Sequence, residues 1–137
     1  MRLRLASAGC LVVSLSLPLV AQDVYRVSDQ ITAPKVAEIP KPRYSATTMR
    51  AKVNGLVGVV ELEVDVMPDG SVGTVALVRS AGQELDEMAA EAARRFKFTP
   101  GTKGGKPVAV RISLKLQIDL HSGGAPMRLL DPSPNPN

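Results

Sequence analysis

The chain has 137 residues, 45% of them apolar but with two Phe, two Tyr and no Trp, so the composition calls for one small domain with an aliphatic core. Its formal charge is +4, from 17 basic and 13 acidic residues. Setting Arg2 and Arg4 aside leaves 15 against 13, a net +2 with the signs interleaved, which excludes the basic patch that nucleic acid needs. The single cysteine, Cys10, excludes a disulfide framework and a thiolate metal site.

Residues 1–21 read as a secretory signal peptide: Arg2 and Arg4 start it, residues 5–21 form a nearly uncharged run, and Ala21 precedes a polar Gln-Asp boundary. An uncleaved inner-membrane anchor through residues 5–21 is the alternative, although that run sits at the bottom of the length range for a spanning helix. Lipidation at Cys10 is disfavoured because most of the apolar run follows the cysteine. In either reading the domain is exported. Residues 22–43 carry Pro34, Pro40 and Pro42 among Lys35, Lys41 and Arg43 and read as an extended linker. Residues 122–137, with Gly123, Gly124 and four prolines, read as a disordered tail.

The folded domain is expected over residues 44–121. Residues 45–52 suit a short helix with Ser45 as N-cap and Asn54-Gly55 as its stop. Residues 56–66 alternate, with Val60, Leu62, Val64 and Val66 on one side and Glu61, Glu63 and Asp65 on the other, which predicts a half-buried strand. Pro68-Asp69-Gly70 predicts a tight turn into a second strand over residues 72–79. Val75 and Leu77 are out of phase with Val72, which implies a bulge. Residues 83–97 have helical periodicity, with Leu85, Met88, Ala89, Ala92 and Phe96 on one face. Acidic residues in its first turn and Arg94, Arg95 and Lys97 in its last complement the helix dipole. Residues 101–107 read as a loop, and residues 108–120 alternate most cleanly of all, from Val108 through Val110, Ile112, Leu114, Leu116 and Ile118 to Leu120. The predicted fold class is α+β: a small antiparallel three-stranded sheet with two helices on one face, in the order α-β-β-α-β.

No catalytic constellation emerges. His121, the single histidine, abuts the tail without partners for triad or metal chemistry. Glu61, Glu63 and Asp65 resemble the solvated face of a half-buried strand. The glycines of residues 101–105 follow a helix instead of opening one, so they cannot cradle a phosphate. The expectation is a non-enzyme without cofactor, metal, nucleic acid or small-molecule substrate.

The ordered set Tyr44, Gly58-Val59-Val60, Pro68-Asp69-Gly70, Ser80-Ala81-Gly82, Leu85-Asp86, Arg94-Arg95-Phe96-Lys97-Phe98-Thr99-Pro100 and Gly105-Lys106-Pro107-Val108 resembles the C-terminal domain of the TonB family of periplasmic energy transducers. Ser45 stands where that family has Pro, and Phe96 where it has Trp. The histidine-bearing membrane helix and long Pro-rich spacer of full transducers have no counterpart before residue 44. The resemblance implies a binding module in the periplasm of a Gram-negative bacterium. Its last strand would receive a TonB-box-type peptide of an outer-membrane TonB-dependent receptor, or another envelope protein, by β-augmentation. On that basis the candidate partner-binding residues are Val110, Arg111, Ile112, Ser113, Leu114, Lys115, Leu116 and Gln117, with Lys41, Pro42 and Arg43 as side contacts. Arg111 and Lys115 would select an acidic or polar partner. Homodimerisation through the same strand, or a structural envelope scaffold without energy transduction, is the alternative.

Overall fold

The computed structural model describes residues 22–41, 43, 46–121 and 127–133. Residues 1–21, read as a signal or anchor segment, Pro42, Tyr44, Ser45, expected as a helix cap, and the rest of residues 122–137 lie outside the described residues. The elements in chain order are β1 (Val24–Arg26), β2 (Ile31–Thr32), β3 (Lys35–Glu38), α1 (Ala46–Val53), β4 (Val57–Val66) and β5 (Val72–Arg79). They continue as α2 (Gln83–Arg95), β6 (Lys97–Thr99), β7 (Thr102–Lys103), β8 (Lys106–Pro107), β9 (Ala109–Asp119) and β10 (Met127–Ser133).

β4 and β9 are the spine. They pair antiparallel from Val57↔Asp119 to Val66↔Val110 without a register shift, as two strands of matching period-2 patterning should. Val60, Leu62, Val64 and Val66 from β4 and Val110, Ile112, Leu114, Leu116 and Ile118 from β9 are all buried on one face. α2 closes that face with Leu85, Ala89 and Ala93. The helix comes close because β4 has Gly58 where it passes beneath. A Cβ at Gly58 would lie 2.7 Å from Ala81 Cβ and 2.9 Å from Leu85 Cδ1. Gly58→Ala is expected to lower stability by about 1–2 kcal/mol through overpacking, read as a urea midpoint by circular dichroism; an unchanged midpoint would refute the tight contact.

The entry to α2 is tied by a side chain. Gly82, the cap residue, has none to offer. Instead the Asp86 carboxylate accepts the Ala81 N–H at 2.9 Å and the Ser80 hydroxyl, which turns Ser80-Ala81-Gly82 into the helix. At the other end α2 stops at Arg95, two residues before the expected end. Phe96 is extended at φ −60°, ψ 146°. Phe96 and Phe98 are both buried, with ring centroids 6.0 Å apart. Side chains at i and i+2 cannot share a helical face but do share a strand face, so the chain becomes β6 before Pro100.

The β4–β5 turn is built as its residues dictate. Gly70 N–H donates to Met67 O at 2.9 Å, Met67 N–H donates to Ser71 O at 2.8 Å, and Gly70 has φ 84°, a three-residue hairpin loop closed by a left-handed glycine. The Asp69 carboxylate accepts the Ser71 N–H at 2.9 Å and its hydroxyl at 2.6 Å. Those bonds, the hydroxyl's first, hold the Asp69 carboxyl below 3.8. A depressed folded value means the stabilisation is complete above the unfolded value and fades as pH falls below it. An NMR titration of Asp69 is expected to show a midpoint below 3.8, which Ser71→Ala moves back up; identical midpoints would refute the assignment. Beyond the turn, β5 carries two register shifts against β4, and the one between Val64 and Val66 accounts for the phase change between Val72 and Val75.

The expected three-stranded antiparallel sheet with two helices on one face is not what forms. The main sheet has five strands, in the order β1-β9-β4-β5, with β10 also on β9. It is mixed, since β1 runs parallel to β9. A three-stranded sheet, β2-β7-β8, and a two-stranded one, β3-β6, are added. α2 is the helix on the apolar face, and α1 packs chiefly on α2. The extra strands come from regions read as linker, loop and tail. Residues 31–38 run antiparallel to residues 97–103 as a ribbon broken around Pro34 and Pro100. Residues 102–107 form a hairpin turning on Gly104 and Gly105, at φ 58° and 79°.

Candidate functional site

β9 has two edges. β4 fills the inner one along its whole length. The outer one is shared by both ends of the described chain. β1 pairs parallel with residues 109–111 (Val24↔Ala109, Tyr25↔Val110, Arg26↔Arg111). β10 pairs antiparallel with residues 113–118, from Met127↔Ile118 to Ser133↔Ser113. The outer edge of β9 therefore pairs with one parallel and one antiparallel strand of the same chain.

The structure divides the candidate residues by face. Val110, Ile112, Leu114 and Leu116 are core residues, so only their backbone can meet a partner. Arg111, Ser113, Lys115 and Gln117 lie on the opposite face, with Ser113 buried and the other three half-buried. Arg111 is already engaged. Its Nε and Nη2 donate to the two Asp65 carboxylate oxygens at 2.6 and 3.0 Å, and Nε lies 3.2 Å from Glu63 Oε1. Asp65 is 4% exposed, and this fork-to-fork contact is what permits a carboxylate there. Hydrogen bonding and then the charge of Asp65, with a smaller contribution from Glu63, raise the Arg111 pKa above its ordinary value against the opposing effect of burial. Arg26 from β1 joins the row at 3.9 Å from Glu63. Glu63 and Asp65 of β4 are thus matched by Arg26 and Arg111 of its neighbours, Glu61 Oε1 accepts the Ser113 hydroxyl at 3.5 Å, and among the described residues no group of His, Cys, Asp and Glu could hold a metal ion.

The remaining candidates lie elsewhere. Lys41 is exposed, and its carbonyl accepts Arg95 Nη1 at 2.9 Å, so the approach to α1 is anchored to the end of α2. Arg43 is exposed, and Pro42 is outside the described residues. His121 is exposed beside Gly55, and its N–H donates to Asp119 Oδ1 at 2.9 Å. Residues 22–43 and 122–137, read as linker and tail, supply site residues the sequence reading did not single out. Tyr25 of β1 lies under the Lys103 ammonium, 4.5 Å from ring centroid to Nζ, and Tyr25, Met127 and Leu129 pack against the core. The signal was there, as apolar residues alternating through Tyr25–Val27 and Met127–Leu129, but three residues are too few to distinguish a strand from coil.

β5 is the outermost strand on the far side of the sheet. Leu77 and Val78 are exposed on it, and its two register shifts roughen its edge. An open pocket of about 420 Å³ lies between α1 and the start of α2, lined by Met49, Arg50, Val53, Asn54 and Glu84. Among the described residues no helix is long and apolar enough to cross a membrane.

These features define a mostly β domain built on a mixed five-stranded sheet. The chain belongs to the TonB C-terminal family: the family model for the Gram-negative bacterial TonB protein C-terminal matches residues 40–119. It is 38% identical over 82 residues to protein tonB2 of Pseudomonas aeruginosa PAO1, covering 56% of this chain and 29% of that protein. It is 35% identical over 81 residues to protein TonB of Xanthomonas campestris pv. campestris B100, covering 58% of this chain and 35% of that protein. Protein TonB of Vibrio cholerae N16961 is 35% identical over 81 residues, with 58% of this chain and 32% of that protein covered. The chain thus spans about a third of the length of these curated relatives. The solution NMR structure of the Pseudomonas aeruginosa TonB C-terminal domain is 22% identical and covers 64% of this chain and 86% of its own, with a TM-score of 0.45.

Proposed function

We propose that this domain is a TonB-like protein-recognition module of the periplasm of a Gram-negative bacterium, linked to TonB-dependent transport, and not an enzyme. Its partner is a strand of TonB-box type from an outer-membrane receptor, taken up by β-augmentation on the outer edge of β9 within residues 110–117. The observation that carries this reading is that the same edge pairs with strands running both ways. Strand addition uses backbone hydrogen bonds for affinity and alternate side chains for selection. With Arg111 committed to Asp65 and Glu63, selection of a polar partner falls to Lys115 and Gln117, and residues 41–43 supply side contacts.

The test is an NMR titration of residues 22–137, which contain every described element, with N-terminal peptides of outer-membrane receptors from the same organism. Shifts concentrated on β9 are the expected result. Silence across the set would instead favour a self-associating envelope scaffold, a reading supported by exposed Leu77 and Val78 on β5.

A further inference from the structure

The fold sorts charges that interleave along the chain. β9 starts at Ala109, next to the pairing of Val110 with Val66, where β4 ends. Four features gather at that end of the main sheet. The β4–β5 turn is there, with Gly70 O accepting the Phe98 N–H of β6 at 2.9 Å. The β7–β8 hairpin is there, because it runs directly into β9. So is the ribbon formed by residues 31–38 and 97–103. The described chain also begins there. β1 lies parallel to β9 with Val24 opposite Ala109, so the segment upstream of Val24 leaves beside Pro107 and Val108. Gln22 accordingly lines an open cleft with Met67, Pro68, Asp69 and Ser71.

Residues 31–43 and 94–107, which build this end, contain eight Lys and Arg and one acidic residue, Glu38. Lys35, Lys97, Lys103 and Lys106 are exposed. Lys103 and Lys106 are register partners, and Lys103 lies over Tyr25 of β1. Among the acids nearby, Asp69 is engaged by Ser71 and Glu38 stands opposite Lys97, while Asp23 and Asp29 are exposed. α2 begins at the other end of the sheet, where Leu85 comes close to Gly58. Its residues 83–91 hold four acidic residues and no basic one. The domain has a basic pole and an acidic pole.

We propose that the basic pole seats the domain on an anionic phospholipid surface. Separate lysines spread over a ribbon and a hairpin match a layer of phosphate headgroups, each cation adding its own attraction. Two observations favour lipid over an acidic protein. The apolar run of residues 5–21 stops directly before Gln22, so a bilayer holding that run would meet the domain at this pole. Val24, exposed beside the cations, supplies an apolar contact for the headgroup boundary. Residues 113–118 of β9 lie further along the sheet, so this docking neither needs nor blocks a partner strand there.

The probe is a vesicle of phosphatidylglycerol and phosphatidylethanolamine, with phosphatidylcholine vesicles as the neutral reference. Residues 22–137, which contain every described element, are co-sedimented with each. Binding to the anionic vesicles alone is expected at about 0.05 M salt, and at least tenfold weaker binding at about 0.5 M, because salt screens exposed charges. Lys35→Glu with Lys106→Glu is expected to weaken binding by about tenfold or more. Arg50→Glu with Arg79→Glu makes the same change of charge away from the pole and is expected to stay within about twofold of the unaltered chain. A second readout uses the unaltered chain alone and so does not depend on how the variants fold. Spin-labelled lipid in anionic nanodiscs is expected to broaden the amides of residues 22–24, 69–71 and 103–106 and to spare those of residues 54–57 and 84–87. Equal losses in the two charge-reversed pairs, or broadening spread evenly over the domain, would leave only net charge and overturn the oriented docking. Equal binding to the neutral vesicles, or binding of soluble polyglutamate without binding of anionic vesicles, overturns the lipid surface.

Discussion

Gly70→Ala is expected to cost about 4 kcal/mol of stability, from the left-handed backbone, a direct clash and a lost hydrogen bond together. A Cβ at Gly70 would lie 2.0 Å from the carbonyl oxygen of Phe98 and 3.2 Å from its carbonyl carbon. These are main-chain atoms and cannot swing aside. The same approach brings Phe98 N–H to Gly70 O at 2.9 Å, so relieving the clash breaks the bond that ties the hairpin turn to β6. Gly105 is the control. Its φ of 79° is similar, but nothing lies within 4 Å of its Cβ position, so Gly105→Ala is expected to cost only about 1 kcal/mol. Urea denaturation followed by circular dichroism measures both. Equal losses would mean that backbone conformation, and not contact with β6, sets the effect.

Arg111→Met is the second large loss, about 2–3 kcal/mol. Removing one partner of a buried pair typically costs more, but the Arg111 side chain is 36% exposed and solvent screens part of the interaction. The variant leaves the Asp65 carboxylate among neighbours that cannot solvate it. Pairing the change with Asp65→Leu is expected to recover most of the stability, because the double variant no longer buries a lone charge. In a double-mutant cycle the two effects should therefore be far from additive. Additive losses would show that the pair contributes nothing beyond its separate packing. The Arg111 result also bears on recognition: an arginine held by Asp65 and Glu63 orders the sheet face and is a poor candidate for reading a partner.

What could be read in advance follows from the range of the forces involved. The buried stripe of α2, the alternation of β4 and β9, and the Pro68-Asp69-Gly70 turn are local patterns whose period or chemistry permits few structures. Even there, helical periodicity carried Phe96 into α2, because the competing i, i+2 pairing of Phe96 with Phe98 needs β3 to receive it. β3 itself is Lys-Val-Ala-Glu between prolines, and what makes it a strand is Lys97–Thr99 some sixty residues later. β1 and β10 are the same case on the two sides of β9. Their short alternations become strands only because an unoccupied edge is waiting, and no window of sequence contains both partners. The candidate site was legible as one strand with a usable edge. Its occupancy by the chain's own ends was not.

The parallel seat of β1 has a mechanical side. A pull on the chain upstream of Val24 meets the domain first at three residue pairs with β9, backed by the contacts of Tyr25 and Arg26. If these and the packing of Val27 on the core yield, residues 24–30 come free before the load reaches β2. At roughly 3.3 Å per residue that releases about 23 Å of chain. With residues 5–21 as an anchor, the amino-terminal strand would therefore serve as a short extensible coupling between an outside load and the long-paired spine of β4 and β9.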